Sequence, residues 1–195
     1  MVGKIDNRKD ILLLLLYSPG RADEVNEPIV GKTRLVKMLF LFKEEAMHHF
    51  RRGIDIADEE FYQFFPWSFG PFSRDVYDDI EFFVLREFIE SRDSDEDALP
   101  ESAAEWEEWL SSSRPDSSED SVREYNEEVF QLTPAGAKFA SDLYQALSPG
   151  QKKLLREFKR RITNAPLRAI LKYVYENYED MTAKSEIREQ ILGNG

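Results

Sequence analysis

Apolar and polar positions alternate along this chain with a period that changes several times. Asp10 to Tyr17 is almost wholly apolar and is closed by Ser18-Pro19-Gly20, which predicts a short, nearly all-buried helix. A polar loop follows, Arg21 to Pro28. Leu35, Leu39, Phe42, Ala46 and Phe50 then recur at helical spacing. They predict a long helix, capped by Thr33, reaching about Arg52 and stopped by Gly53. Lys32, Arg34, Lys37 and Lys43 fall largely elsewhere on that helical wheel.

The aromatic run Phe61 to Phe65 reads as a strand, and Pro66 to Phe72 as a turn. Ser73 is a good N-cap, with Asp75 in the first turn, for a helix to about Glu90. Its inward positions are Val76, Ile80, Phe83 and Phe88. Ser91 to Asn126 is rich in Ser, Asp and Glu and reads as a mobile insertion, with one short amphipathic helix at Trp106, Trp109 and Leu110. Glu128 to Leu132 reads as a strand, and Thr133-Pro134 opens a helix over Ala135 to Leu147. Helices over Gly150 to Thr163 and Pro166 to Tyr178 follow, and Thr182 caps a last short one. No internal repeat is present.

This order predicts a mainly α fold with a small β-hairpin: a winged helix-turn-helix plus C-terminal helices. The hairpin joins Glu87–Ser91 to Glu128–Leu132. Residues 1–147 form the winged-helix domain, with an acidic wing insertion at 91–126. Residues 148–195 form a helical extension packed on it.

A length of 195 residues fits that organisation. The chain has no cysteine, which excludes disulfides, thiolate metal sites and a cysteine nucleophile and suits a reducing cytoplasm. The run from Ile11 to Tyr17 is far shorter than the roughly 20 residues a membrane helix needs. No small-residue cleavage site follows it, so a signal peptide is not expected. The net charge of −12 is unevenly distributed. Residues 1–54 carry ten basic and seven acidic groups, 55–130 five and twenty-four, and 131–195 eleven and seven. Such acidity argues against unspecific nucleic-acid binding, which draws its affinity from neutralised phosphates.

Candidate chemistry is sparse. Gly31-Lys32-Thr33 resembles the end of a phosphate-binding loop, but the first glycine of that motif would fall on Asn26. One glycine cannot wrap a phosphate in backbone N–H groups, so the stretch reads as the start of a helix. His48 and His49 are adjacent and cannot share one metal from a straight helix. Asp78-Asp79 and Glu59-Glu60 read as acidic surface. No catalytic, metal or cofactor residue is expected. The one concentrated basic face is Lys152, Lys153, Arg156, Lys159, Arg160 and Arg161, set outward from a stripe of Leu154, Leu155, Phe158 and Ile162. It suits nucleic acid, an acidic partner, or pairing with the acidic insertion.

Trp67-Ser-Phe69-Gly70-Pro71-Phe-Ser-Arg-Asp-Val76-Tyr77, preceded by Lys37-Met38-Leu39-Phe40, resembles the Panacea antitoxin domain and the related small winged-helix proteins of the YwgA type. Gln131-Leu-Thr-Pro-Ala-Gly136 is similar to the wing-to-helix passage of many winged-helix proteins. The likeness covers roughly 31–90 and 128–147. It implies neutralisation of a toxin by direct contact, with no catalytic residue. The expected function is therefore a non-enzymatic protein-interaction module of antitoxin or phage-defence-associated type. Its partner would be a toxin or another defence component, with a homodimer also open and no membrane involved. The alternative is a DNA-binding transcriptional regulator using the basic 151–161 helix and the basic second helix. Against docking by the third core helix stands its charge: Asp75, Asp78, Asp79, Glu81, Glu87 and Glu90 face only Arg74 and Arg86.

Overall fold

The computed structural model describes residues 5–52, 54, 56–93, 128–185 and 187–193. Helix α1 (Arg8–Tyr17) starts at a capping box: Asn7 accepts from the Lys9 and Asp10 amides, and Asp10 accepts from the Asn7 amide. Every residue from Ile11 to Leu16 is buried, so the helix is enclosed on all sides, as its pattern predicts. Strand β1 (Ile29–Val30) leads through Gly31 into α2 (Lys32–Leu41). Gly31 is the N-cap, with φ 92°, and it leaves Thr33 inside the first turn rather than capping.

Helix α2 does not run on as one regular helix. A π-helical turn (Phe42–Ala46) connects it to α3 (Met47–Phe50), with the Met47 amide bonded to the Phe42 carbonyl. Leu35, Leu39, Phe42, Ala46 and Phe50 are all buried as expected. Lys37 is buried too, 3% exposed, against expectation. Everything from Leu35 to Phe42 is enclosed because α2 has neighbours on every side, so its wheel has no outward face at that level.

Phe61 and Tyr62 are buried without joining a strand. The strand lies further on: β2 (Phe65–Trp67) pairs antiparallel with β3 (Gly70–Phe72), so the predicted turn is itself a hairpin. Gly70 supplies the positive φ, 83°, after the two-residue turn. Helix α4 (Arg74–Leu85) places Val76, Ile80 and Phe83 in the core. It stops five residues before the expected end. The Phe88 amide reaches back to the Phe83 carbonyl and the Glu87 amide to that of Val84, with Glu87 at φ 57°. This is a Schellman stop in which Glu87 takes the left-handed position usually given to glycine. With no glycine or proline there, the sequence carries no stop signal.

The early stop frees β4 (Ile89–Asp93) to pair with β5 (Glu128–Leu132), with Ile89 opposite Leu132 and Asp93 opposite Glu128. Strand β1 pairs with the other edge of β5. Beyond β1, the side chain of Asn26 continues the pairing: it accepts from the Leu132 amide and donates to its carbonyl, both at 3.0 Å. Residues 94–127 lie outside the described residues, and with them the expectations for Trp106, Trp109 and Leu110.

Thr133 caps α5 (Pro134–Ala146), accepting from the Gly136 amide and donating to the Glu87 carbonyl at 2.6 Å. A Cβ on Gly136 would lie 2.1 Å from the Phe88 carbonyl oxygen. That close approach explains the glycine of the Thr-Pro-Ala-Gly stretch. Helices α6 (Pro149–Asn164), α7 (Leu167–Asn177), α8 (Glu179–Thr182) and α9 (Arg188–Leu192) complete the described chain. Thr182 ends α8 instead of capping a helix. The molecule is mainly helical with a small antiparallel sheet, and one core draws on residues 5–89 and 130–147 and on the C-terminal helices.

Two substitutions test the α4 stop. Glu87→Gly relieves a left-handed strain of about 1–2 kcal/mol and gives back part of it as unfolded-state entropy. A net stabilisation of about 0.5–1 kcal/mol is expected in chemical denaturation. Gly136→Ala forces the Phe88 backbone aside and should cost about 2–3 kcal/mol or more.

Candidate functional site

The basic face expected on α6 is largely engaged inside the molecule. Lys159 has no exposed surface. Its ammonium donates to the carbonyls of Leu16 and Ser18, both at 2.7 Å, and of Glu27 at 3.3 Å. It thus closes the C-terminal end of α1, where a helix favours positive charge, and is no part of a surface. Arg156 pairs with Asp23 at 2.5 Å, Arg161 with Glu45 at 2.5 Å, and Lys153 with Glu157 at 3.7 Å. Lys152 reaches the Gln145 carbonyl and lies over the Tyr144 ring. Arg160 points outward. The stripe of Leu155, Phe158 and Ile162 is buried as read, while Leu154 is half-buried. Lys159 was legible as inward only by wheel position, four residues after Leu155 and three before Ile162, which its charge outweighed.

The loop that Lys159 anchors is built around an acid. The Glu27 carboxylate accepts from the amides of Gly20, Ala22 and Glu24 at 2.8–3.0 Å. Burial works against its charge, but these donors and the Lys159 ammonium outweigh that and hold it below the usual glutamate range.

A second buried cation fixes the aromatic hairpin. The Lys37 ammonium donates to the Pro71 carbonyl at 2.8 Å, from α2 into β3. Of the family-like turn residues, Gly70, Pro71 and Val76 are buried, and Phe69 and Tyr77 half-buried. The tip is tied from the other side: Ser185 donates to the Ser68 carbonyl at 2.9 Å, and Tyr175 packs against Gly70. On this fixed frame Phe65 is 41% and Trp67 56% exposed. Their rings, with Phe72 and Tyr77, form a continuous chain of contacts at 5.1–6.3 Å. The aromatic residues were legible in the sequence. That two of them face outward was not, because β2 lies a few residues later than the expected strand.

The π-helical turn brings Glu45 against Arg161 and the Tyr178 hydroxyl, which donates at 3.3 Å. Burial and Glu45 together push the phenols of Tyr173 and Tyr178 up. An apolar recess of about 190 Å³, lined by Leu41, Ile162, Ala169, Ile170 and Tyr173, adjoins Arg161.

The remaining motifs have structural explanations. The Gly31 amide bonds the Glu128 carbonyl, and Lys32 pairs with the Glu128 carboxylate at 2.7 Å, so Gly-Lys-Thr joins helix to sheet. His48 and His49 are exposed, and no group of three potential metal-binding side chains occurs among the described residues. Asp78 is exposed, but Asp79 is not acidic surface. It is buried, paired with Arg8 at 2.9 Å and Lys9 at 3.5 Å, while Arg8 also holds Asp75 at 2.7 Å. No helix among the described residues is long and apolar enough to cross a membrane. Comparisons with protein-family models, with curated proteins and with solved structures returned no match.

Burial pushes the ammonium groups of Lys37 and Lys159 down to about 7 from 10.5, with Glu27 partly restoring Lys159. Between those values the unfolded chain binds more protons than the folded one, so stability rises with pH across that window. Chemical denaturation from pH 7 to 9 should show a gain of about 1 kcal/mol per pH unit for each lysine. Lys37→Met should remove about half of the combined slope, leaving the Lys159 share, and an unchanged slope would remove Lys37 as a source.

Proposed function

We propose that this chain is a non-enzymatic binding module of winged-helix type whose ligand is another protein. Its class is that of antitoxin or phage-defence-associated interaction domains, acting in the cytoplasm. The carrying observation is the pair Phe65 and Trp67, held outward on a hairpin that Lys37, Ser185 and Tyr175 fix in place. Large aromatics presented on a rigid frame bind with little loss of conformational freedom, and they dominate the energetics of protein interfaces. The winged-helix reading draws on the order α1, β1, α2, α4, β4, β5, with β5 between the other two strands. The Panacea-like turn belongs to the same hairpin, which links the resemblance to the exposed surface.

A DNA-binding role draws little support from the same surfaces. The cations of α6 are mostly neutralised or buried, and α4 directs Asp78 and Glu81 outward.

The test has two arms. Cross-linking and affinity capture of the tagged full chain from its own cells should yield a specific protein. Phe65→Ser with Trp67→Ala should lose it at least about tenfold while leaving the circular dichroism spectrum and thermal midpoint nearly unchanged. Duplex DNA binding should be absent at moderate salt. Tight, salt-steep DNA binding, weakened by Lys153→Glu with Arg160→Glu, would replace this reading with the regulator.

A further inference from the structure

We infer that Pro66 closes the free edge of the β2–β3 hairpin to strand addition, and so keeps the hairpin from recruiting a second copy of this chain edge to edge. The inference is independent of the proposed binding role, because it concerns the chain alone.

The hazard lies in the composition. Residues 61–73 carry no charged side chain, on a chain that is 33% charged, and seven of these thirteen residues are Phe, Tyr or Trp. Uncharged aromatic segments that present a strand edge are the ones that pair with copies of themselves. Strand β2 presents such an edge. Among the described residues it pairs with β3 alone, and both Phe65 and Trp67 are exposed on it.

Register decides what that edge offers. Pro66 lies opposite Pro71, with Phe65 opposite Phe72 and Trp67 opposite Gly70. Neither proline has an N–H, so the 66–71 pair cannot exchange amide bonds, and the flanking pairs carry the ladder. The backbone at positions 66 and 71 is therefore turned away from the partner strand. At Pro71 this is visible directly: its carbonyl accepts from the Lys37 ammonium at 2.8 Å, so α2 closes that side of the hairpin. On the other side, β2 directs outward at position 66 a carbonyl with no amide beside it. An incoming strand needs donors as well as acceptors along the edge. At the centre of β2 it meets a pyrrolidine ring instead.

Strand edges are commonly guarded by lysine or another charge. With no charge between Phe61 and Ser73, this hairpin relies on proline. A partner of Phe65 and Trp67 must then meet the faces of the rings and cannot extend the sheet.

Pro66→Val tests this, because it restores an outward amide with a residue that favours strands. The full chain is followed by light scattering, thioflavin T fluorescence and infrared spectroscopy. The variant should associate, gain an intermolecular β-sheet band and develop thioflavin T signal at least about tenfold faster than the unsubstituted chain, which should show no such band. Pro66→Lys restores the same amide but adds a charge to the edge, and it should remain unassociated. A folded Pro66→Val that fails to associate overturns the inference. Equal association of both variants, with a lowered thermal midpoint in each, assigns Pro66 to support of the fold and also overturns it. An intermolecular β-sheet band in the unsubstituted chain at the same concentration has the same consequence.

Discussion

An ammonium group with no exposed surface, on Lys159, sits where α1 ends. Much of the architecture depends on the geometry it enforces. The last turn of a helix leaves carbonyls without amide partners, and α1 is buried too deeply for water to reach most of its length. Lys159 satisfies the Leu16 and Ser18 carbonyls and reaches that of Glu27, so α6, α1 and the 18–28 loop meet at one atom. The loop then fixes Asn26, whose amide side chain holds β5, so the position of the sheet follows from the position of one lysine. Arg34 repeats the device at the end of α6, donating to the Ile162 and Ala165 carbonyls at 2.8 and 2.6 Å. Lys37 applies it to Pro71.

These side chains separate charge in the sequence from charge at the surface. A helix rich in lysine and arginine suggests a face for phosphates, yet α6 directs its cations toward a carbonyl cluster, Asp23 and Glu45. The acidic α4 is likewise less acidic outside than in sequence, since Asp75 and Asp79 are held by Arg8 and Lys9 of α1. What remains outward and distinctive is aromatic: Phe65 and Trp67 on the hairpin, Phe82 on α4 and Phe139 on α5.

The elements with a clear periodicity were legible from the sequence: α1, α4 up to its stop, the β4–β5 pairing, and α5 to α7, although Ser73 at the start of α4 makes no capping hydrogen bond with its buried hydroxyl. The failures share a cause. The α4 stop uses a left-handed Glu87, which is chemically silent in a sequence because the cue for such a turn is glycine. Phe61 and Tyr62 read as strand because aromatic residues favour strands, while here they fill the core from irregular backbone. The π-turn adds a residue to the helix without breaking its apolar stripe, so spacing alone could not reveal it. For the site, Trp67 to Tyr77 stood out by composition, but which rings face outward is a matter of register, set by a long-range bond from Lys37.

The pairing of Asp93 with Glu128 holds the two chain ends that flank residues 94–127 side by side. Closing a loop between fixed ends costs entropy that grows only with the logarithm of its length, about 0.6 kcal/mol for each doubling. A change in length at that point is therefore almost neutral for the stability of the core. The same change between β2 and β3 would disturb the Lys37 and Ser185 anchors. New sequence between Asp93 and Glu128 is therefore thermodynamically cheap, and the most acidic stretch of the chain lies there.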